Sequence, residues 1–160
     1  MSRWLTDRAA ITVPQSVARV ILEETEEHAP LETGGVLLGY RDRRHRELFV
    51  SELVAAGPEA VRESHRFHPD GPWQRARIAE RYEASKNTLA YLGDWHSHPK
   101  GSGPSPLDHG TARRISRTAR AGCPHPVFLI ATNTREGWEL RAYRLARRRL
   151  APIAVIDDPQ

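Results

Sequence analysis

The sequence predicts an α/β fold, a mixed β-sheet flanked by helices, from two observations. Segments whose apolar residues recur at helical spacing are interleaved with short apolar or alternating runs of strand length. The chain's 160 residues fit one domain with one hydrophobic core. A single domain over residues 1–160 is therefore expected, its core at about 12–145, with no repeat or low-complexity tract.

From Pro14 to about Glu27, Val17, Val20 and Ile21 recur at helical spacing behind a proline suited to a first turn, which predicts a first helix. Gly34 to Tyr40 (GGVLLGY) and Leu48 to Ala55 (LFVSELVA), separated by the polar DRRHRE, read as a two-stranded hairpin. Gly57 to Gly71 reads as irregular, and Pro72 to about Lys86 as a second helix through Trp73, Ile78 and Tyr82. Leu89 to Trp95 reads as a strand that delivers His96 at its end, and the Gly- and Pro-rich run from Pro99 to Pro106 as a loop. A third helix opens near Ser105 and runs through Arg120; Pro126 to Ala131 and Trp138 to Tyr143 follow as strands, with Arg147 to Val155 as a final edge strand.

Composition narrows the function classes. With 39% hydrophobic and 28% charged residues the chain is ordinarily globular, and no run approaches the roughly 18 apolar residues of a membrane span. The N-terminal MSRWLTDRAAITV lacks an apolar h-region and a small-residue cleavage pattern, so a cytoplasmic protein is expected. The one cysteine, Cys123, excludes an internal disulfide framework and a cysteine-built zinc site. The formal charge of +4 is carried largely by arginines at 113, 114, 117 and 120 and from 141 to 149. Such runs read first as solvated faces and second as a surface for an acidic partner or nucleic acid, because no aromatic interleaving accompanies them.

The chemistry is concentrated between Asp94 and Asp108, DWHSHPKGSGPSPLD. His96 and His98 flank one serine, and Asp108 follows ten positions after the second histidine. Two residues apart on an extended strand, the imidazoles project to the same side, and Asp108 falls in the first turn of the next helix. Imidazoles and a carboxylate suit a borderline cation such as zinc, and three protein ligands leave a fourth position for water, as hydrolysis needs.

His96-Ser97-His98-Pro99, then Ser105 and Asp108, resembles the motif of the JAMM/MPN+ (JAB) zinc metalloproteases, in which a distant glutamate precedes His-x-His, a serine and an aspartate. Glu32, before Gly34-Gly35, is similar to that family's glutamate-bearing segment, and the resemblance extends from about Pro14 to Tyr143. In one respect the chain departs from it: six residues separate His98 from Ser105, one fewer than in the commonest form, while Ser-x-x-Asp is intact. The resemblance implies a cytidine-deaminase-like JAB/MPN fold and one zinc ion held by His96, His98 and Asp108. It implies that zinc acidifies a water, that Glu32 takes the proton and passes it to the leaving amine, and that Ser105 helps stabilise the oxyanion.

Each residue also has a plainer reading. Glu32 reads also as a solvated residue before a strand, with Glu23, Glu24, Glu26 and Glu27 as substitutes, and Ser105 as the cap of the helix that carries Asp108. Asp94 reads equally as a residue supporting the ligands and as a strand end facing solvent. His65 and His68 read as loop residues near the substrate entrance rather than a second metal pair, His109 and His125 as surface or satisfied histidines, and Cys123 as core.

The resemblance further implies a substrate: the amide bond after the C-terminal glycine of a ubiquitin-like protein or its conjugate. Gly34, Gly35 and Gly101 suggest room for such a tail, which can lie extended along a sheet edge. The GDWHSHP wording and the RFHPDGPWQRARIAERYEAS segment are similar to stand-alone bacterial JAB peptidases of antiphage (CBASS-type) operons, which release a conjugated nucleotidyltransferase. Processing of a ubiquitin-like sulfur carrier, a RadC-like DNA-associated protein and a non-catalytic MPN scaffold are the alternatives.

Overall fold

The computed structural model describes residues 9–42, 44 and 46–160. The N-terminal residues 1–8, on which much of the leaderless reading rests, and Arg43 and His45 of the DRRHRE turn lie outside the described residues.

The chain runs β1 (Ala10–Pro14), α1 (Gln15–His28), β2 (Gly34–Arg41), β3 (Glu47–Val54), β4 (Val61–Arg62), β5 (Phe67–His68), α2 (Gly71–Ala84), β6 (Ala90–His98), α3 (Pro106–Arg117), a 3-10 turn at Ala119–Ala121, β7 (Val127–Thr134), β8 (Gly137–Ala146) and β9 (Arg149–Asp158). The α/β class and the mixed sheet are as expected, but the large sheet closes into a barrel, β1-β3-β2-β6-β7-β8-β9, instead of lying open between helices. Closure depends on β1, which sequence reading left ahead of the first helix. Ile11 and Val13 alternate inward, and β1 pairs in parallel with β3 on one side and β9 on the other. The C-terminal strand is therefore not an edge: β9 is hydrogen-bonded to both β8 and β1, and the barrel extends beyond the expected core limit of 145.

Strand alternation sorts the packing into two faces. Inward go Ile11, Val13, Leu37, Leu48, Val50, Trp95, Val127, Leu129 and Ala131, joined by Val17 and Ile21 of α1. Outward, Phe128, Ile130, Tyr143 and Leu145 are covered by Ala112 and Ile115 of α3, while Val36, Leu38 and Val54 are covered by Trp73 and Ile78 of α2. The helices start where chain chemistry dictates. Asp70 accepts a hydrogen bond from the Trp73 N–H at the head of α2, and Ser105 and Asp108 form a capping box at the head of α3. No helix among the described residues is long and apolar enough to cross a membrane.

Candidate metal centre

β6 runs on through His98, three residues beyond its expected end. His96 and His98 consequently lie within the strand, facing outward opposite Ile130 and Thr132 of β7, while Trp95 and Ser97 face inward. The ring of His96 packs edge-on against Phe128 at 5.7 Å. α3 crosses this outer face, and its first turn brings Asp108 over the two imidazoles.

A tetrahedral zinc with bonds of about 2.0–2.1 Å separates its ligand atoms by about 3.3–3.4 Å. The separations here are 3.0 Å from His96 Nε2 to His98 Nε2, 3.2 Å from His96 Nε2 to Asp108 Oδ1 and 3.4 Å from His98 Nε2 to Asp108 Oδ2. All three residues are largely buried. His98 Nδ1 lies 3.0 Å from the Ser102 carbonyl, to which it donates, so the Nε2 lone pair is turned toward the cluster. The two histidines each approach a different oxygen of the Asp108 carboxylate, one ligand atom from each residue lies within 4.8 Å of the others, and this donor set and tautomer fit a zinc ion. Burial tends to raise the Asp108 carboxyl, but the adjoining His96 and His98 rings and the hydrogen bond from the Ser105 N–H outweigh it and hold the group well below the usual carboxylate range.

The expected capping role of Ser105 is present: its Oγ accepts from the Asp108 N–H at 3.1 Å, and its own N–H donates to Asp108 Oδ2 at 2.8 Å. Its hydroxyl proton is not used in either bond. The loop that is one residue short thus still sets Asp108 rigidly, through the box rather than through its length.

Glu32 stands two residues before β2, and its N–H donates to the Glu63 carbonyl of the β4–β5 hairpin at 2.9 Å. Partial burial raises its carboxyl above the ordinary value, with His98 and His96 drawing it back and Asp108 adding to the rise. Gly34, two residues on, pairs with His96 in the sheet, which sets the Glu32 segment beside the strand that carries the histidines.

Ser97 had no role assigned from the sequence. Filling the x of His-x-His and fully buried, it accepts a hydrogen bond on Oγ from the Thr33 N–H at 3.0 Å, while its own N–H donates to the Thr33 carbonyl at 2.9 Å. This double clamp fastens the residue after Glu32 to the strand between the two histidines. Arg62 adds a second tie, donating through Nε to Thr33 Oγ1 at 2.9 Å and pairing with Glu24 at 3.3 Å. Neither contact has a local sequence signal, because the partners lie 64 and 29 residues apart.

The remaining candidates separate cleanly. Asp94 accepts from the Tyr91 hydroxyl at 2.8 Å, and burial lifts its carboxyl to about 6 against the opposing hydrogen bond from Tyr91 and the charges of His96 and Arg114. His65 lies 3.0 Å from Lys100 Nζ, and His68 pairs loosely with Glu63 at 3.7 Å. Neither belongs to a ligand cluster among the described residues; besides the site, only Glu24, Glu27 and His28 group that way, and Glu24 is engaged by Arg62. His109 Nδ1 accepts from the Leu150 N–H, His125 Nδ1 donates to the Leu145 carbonyl, and Cys123 is buried.

The glycines are set by close packing. A side chain at Gly34 would meet the Trp95 carbonyl and the Phe67 ring, one at Gly35 the Trp95 indole and the Val54 carbonyl, and one at Gly101 the Asn133 carbonyl. The direction a Cβ would take at these positions is filled by the chain itself, so packing alone accounts for glycine there.

Comparison with known proteins agrees with this geometry. A chain from Sinorhizobium fredii named "Probable metalloprotease y4qB" is 33% identical over 144 residues, 88% of this chain and 87% of that one. A "CD-NTase/cGAS isopeptidase" of Vibrio cholerae is 31% identical over 68% of this chain and 69% of its own, and one from Pseudomonas aeruginosa 27% identical over 83% and 85%. The solution structure of a Desulfitobacterium hafniense protein shares the fold, with a TM-score of 0.71 at 18% identity over 94% of both chains. The model of the family described as prokaryotic homologs of the JAB domain matches residues 14–146, and the chain belongs to that family.

Proposed function

We propose that the chain is a single zinc metalloprotease domain, a cytoplasmic isopeptidase that hydrolyses the amide bond after the C-terminal glycine of a ubiquitin-like protein. One observation carries the reading: two imidazole nitrogens 3.0 Å apart, each within 3.2–3.4 Å of an oxygen of the Asp108 carboxylate, beside a segment whose Thr33, next to Glu32, is clamped to the same strand. His96, His98 and Asp108 would hold the ion, which when bound supplies Lewis acidity, acidifying water and polarising a carbonyl. Glu32 accepts the proton of the attacking water and delivers it to the leaving amine, so that water and amide become acid and amine. The unused Ser105 hydroxyl proton is available to the carbonyl oxygen as negative charge develops there. His98 is held in register by the Ser102 carbonyl.

An extended glycine-ended tail needs an edge, and the closed barrel offers none. The short β4–β5 hairpin beside Glu32 pairs with no third strand among the described residues and is the element that would receive it. The names of the Vibrio and Pseudomonas relatives favour a conjugated nucleotidyltransferase as the target, hence a deconjugase in antiphage defence.

The test compares a ubiquitin-like protein joined to a nucleotidyltransferase by an isopeptide bond with the same protein extended linearly. Zinc-dependent release of the nucleotidyltransferase is expected. Inertness of the zinc-loaded protein toward both substrates would refute the reading.

A further inference from the structure

Two arginine runs that the sequence keeps apart meet on one face of the molecule. α3 lies along β9, where His109 Nδ1 accepts from the Leu150 N–H and, one turn further, Arg113 Nη1 donates to the Arg148 carbonyl at 3.0 Å across 35 residues of chain. Arg117 follows Arg113 by four residues on the same stripe of the helix, and Arg120 stands on the 3-10 turn after it. Arg147 and Arg148 form the two-residue turn between β8 and β9. All but Arg113 are exposed, and the metal centre uses none of them.

Their charge is not offset. No Asp or Glu occurs from His109 to Arg135 or from Leu140 to Ile156, and none of the five arginines forms an ion pair among the described residues. The turn adds a second observation. Arg147 and Arg148 hold φ at 49° and 69°, the region that a two-residue hairpin requires and that Asn and Gly adopt most readily. Arginine at both positions keeps the tip cationic against the backbone preference, as strained residues at functional sites do.

The surroundings narrow the partner. A protein interface centres on apolar or aromatic anchors and a membrane takes an apolar wedge, but among the described residues no large apolar side chain from His109 to Val155 is exposed. Unpaired bases stack on aromatic rings, and Phe128 and Tyr143 are buried under α3. The hydroxyls of Ser116 and Thr118 donate to the carbonyls of Arg113 and Arg114, so neither is turned outward to a ribose 2′-hydroxyl. What the face presents is guanidinium forks, which match phosphate oxygens. We infer that the face formed by α3 and the β8–β9 turn binds the phosphate backbone of duplex DNA without reading its sequence. The inference is independent of the peptidase reading.

Fluorescence anisotropy of the full chain with labelled duplexes of about 20 base pairs and two unrelated sequences, at salt from about 50 to 200 mM, tests it. Both duplexes are expected to bind alike, log affinity falling against log salt with a slope of about −4 to −5, as five phosphate contacts give. Arg117→Gln and Arg148→Gln, at exposed positions, should each weaken both duplexes several-fold and reduce the slope by about 1, with an unchanged thermal midpoint. Arg135→Gln, in the β7–β8 turn at the other end of the barrel, should change neither. Absence of binding at the lowest salt, equal loss with Arg135→Gln, tighter binding of a single strand or of the RNA duplex of the same sequence, or displacement of the duplex by poly-glutamate at equal charge would overturn the assignment.

Discussion

Replacing Ser97 by alanine removes one oxygen and isolates one consequence. Thr33 and Ser97 are both fully buried, so the Thr33 N–H, which donates to Ser97 Oγ at 3.0 Å, would have no water to turn to. An unsatisfied buried donor costs about 1–3 kcal/mol. In a chain of this size each kcal/mol moves the midpoint by about 2–4 °C, so Tm should fall by about 2–12 °C. The Ser97 N–H bond to the Thr33 carbonyl survives, and the imidazoles point to the other face, so zinc content should stay at one ion per chain. Glu32, one residue from the broken clamp, should lose its fixed position, lowering kcat by about tenfold to a hundredfold with little change in KM. Ser97 is then a positioning residue. A thermal melt, metal analysis and steady-state kinetics read the three effects separately. A Tm shift under about 1 °C with wild-type kcat, or loss of the zinc, would refute the reasoning.

Glu32→Ala should lower turnover by about 10²–10⁴-fold, the usual worth of a general base, while metal analysis still finds zinc. His96→Ala and Asp108→Ala should lose both zinc and activity, as should chelation of the wild type, with re-addition of zinc restoring only the last. Gly34→Ala should destabilise by about 1–3 kcal/mol in denaturant titration, since the added methyl meets the Trp95 carbonyl and the Phe67 ring. Asp94, raised to about 6 by burial, favours the folded state fully below its ordinary value of 3.8 and loses that contribution as pH rises through 6. Asp94→Asn keeps an acceptor for the Tyr91 hydroxyl and should flatten the stability profile between those pH values, gaining up to about 3 kcal/mol at pH 7. Parallel melts of the two proteins from pH 4 to 7.5 check it.

The candidate ligand set, His96, His98 and Asp108, was legible in the sequence because its logic is local. His96 and His98 share a strand face by period-two alternation, and Asp108 sits at the head of a helix whose start is written by Ser105 and Pro106. α1 and α2 were legible for the same reason, to within a residue or two at their starts. β1 left a faint trace in Ile11 and Val13, too short to stand against the helix that follows.

Tertiary structure decided what depends on distant partners. Barrel closure rests on β1 lying between β3 and β9, a pairing that joins Ala10 to Ala154 and that no window of sequence contains. The same holds for Ser97 on Thr33 and for Gly34, where Trp95 and Phe67 occupy the place a side chain would take. Residue types and spacing specify which atoms can bind a metal. Only long-range pairing brings Glu32 and the Thr33–Ser97 clamp into position, because backbone hydrogen bonds between strands carry no local signature of their partner.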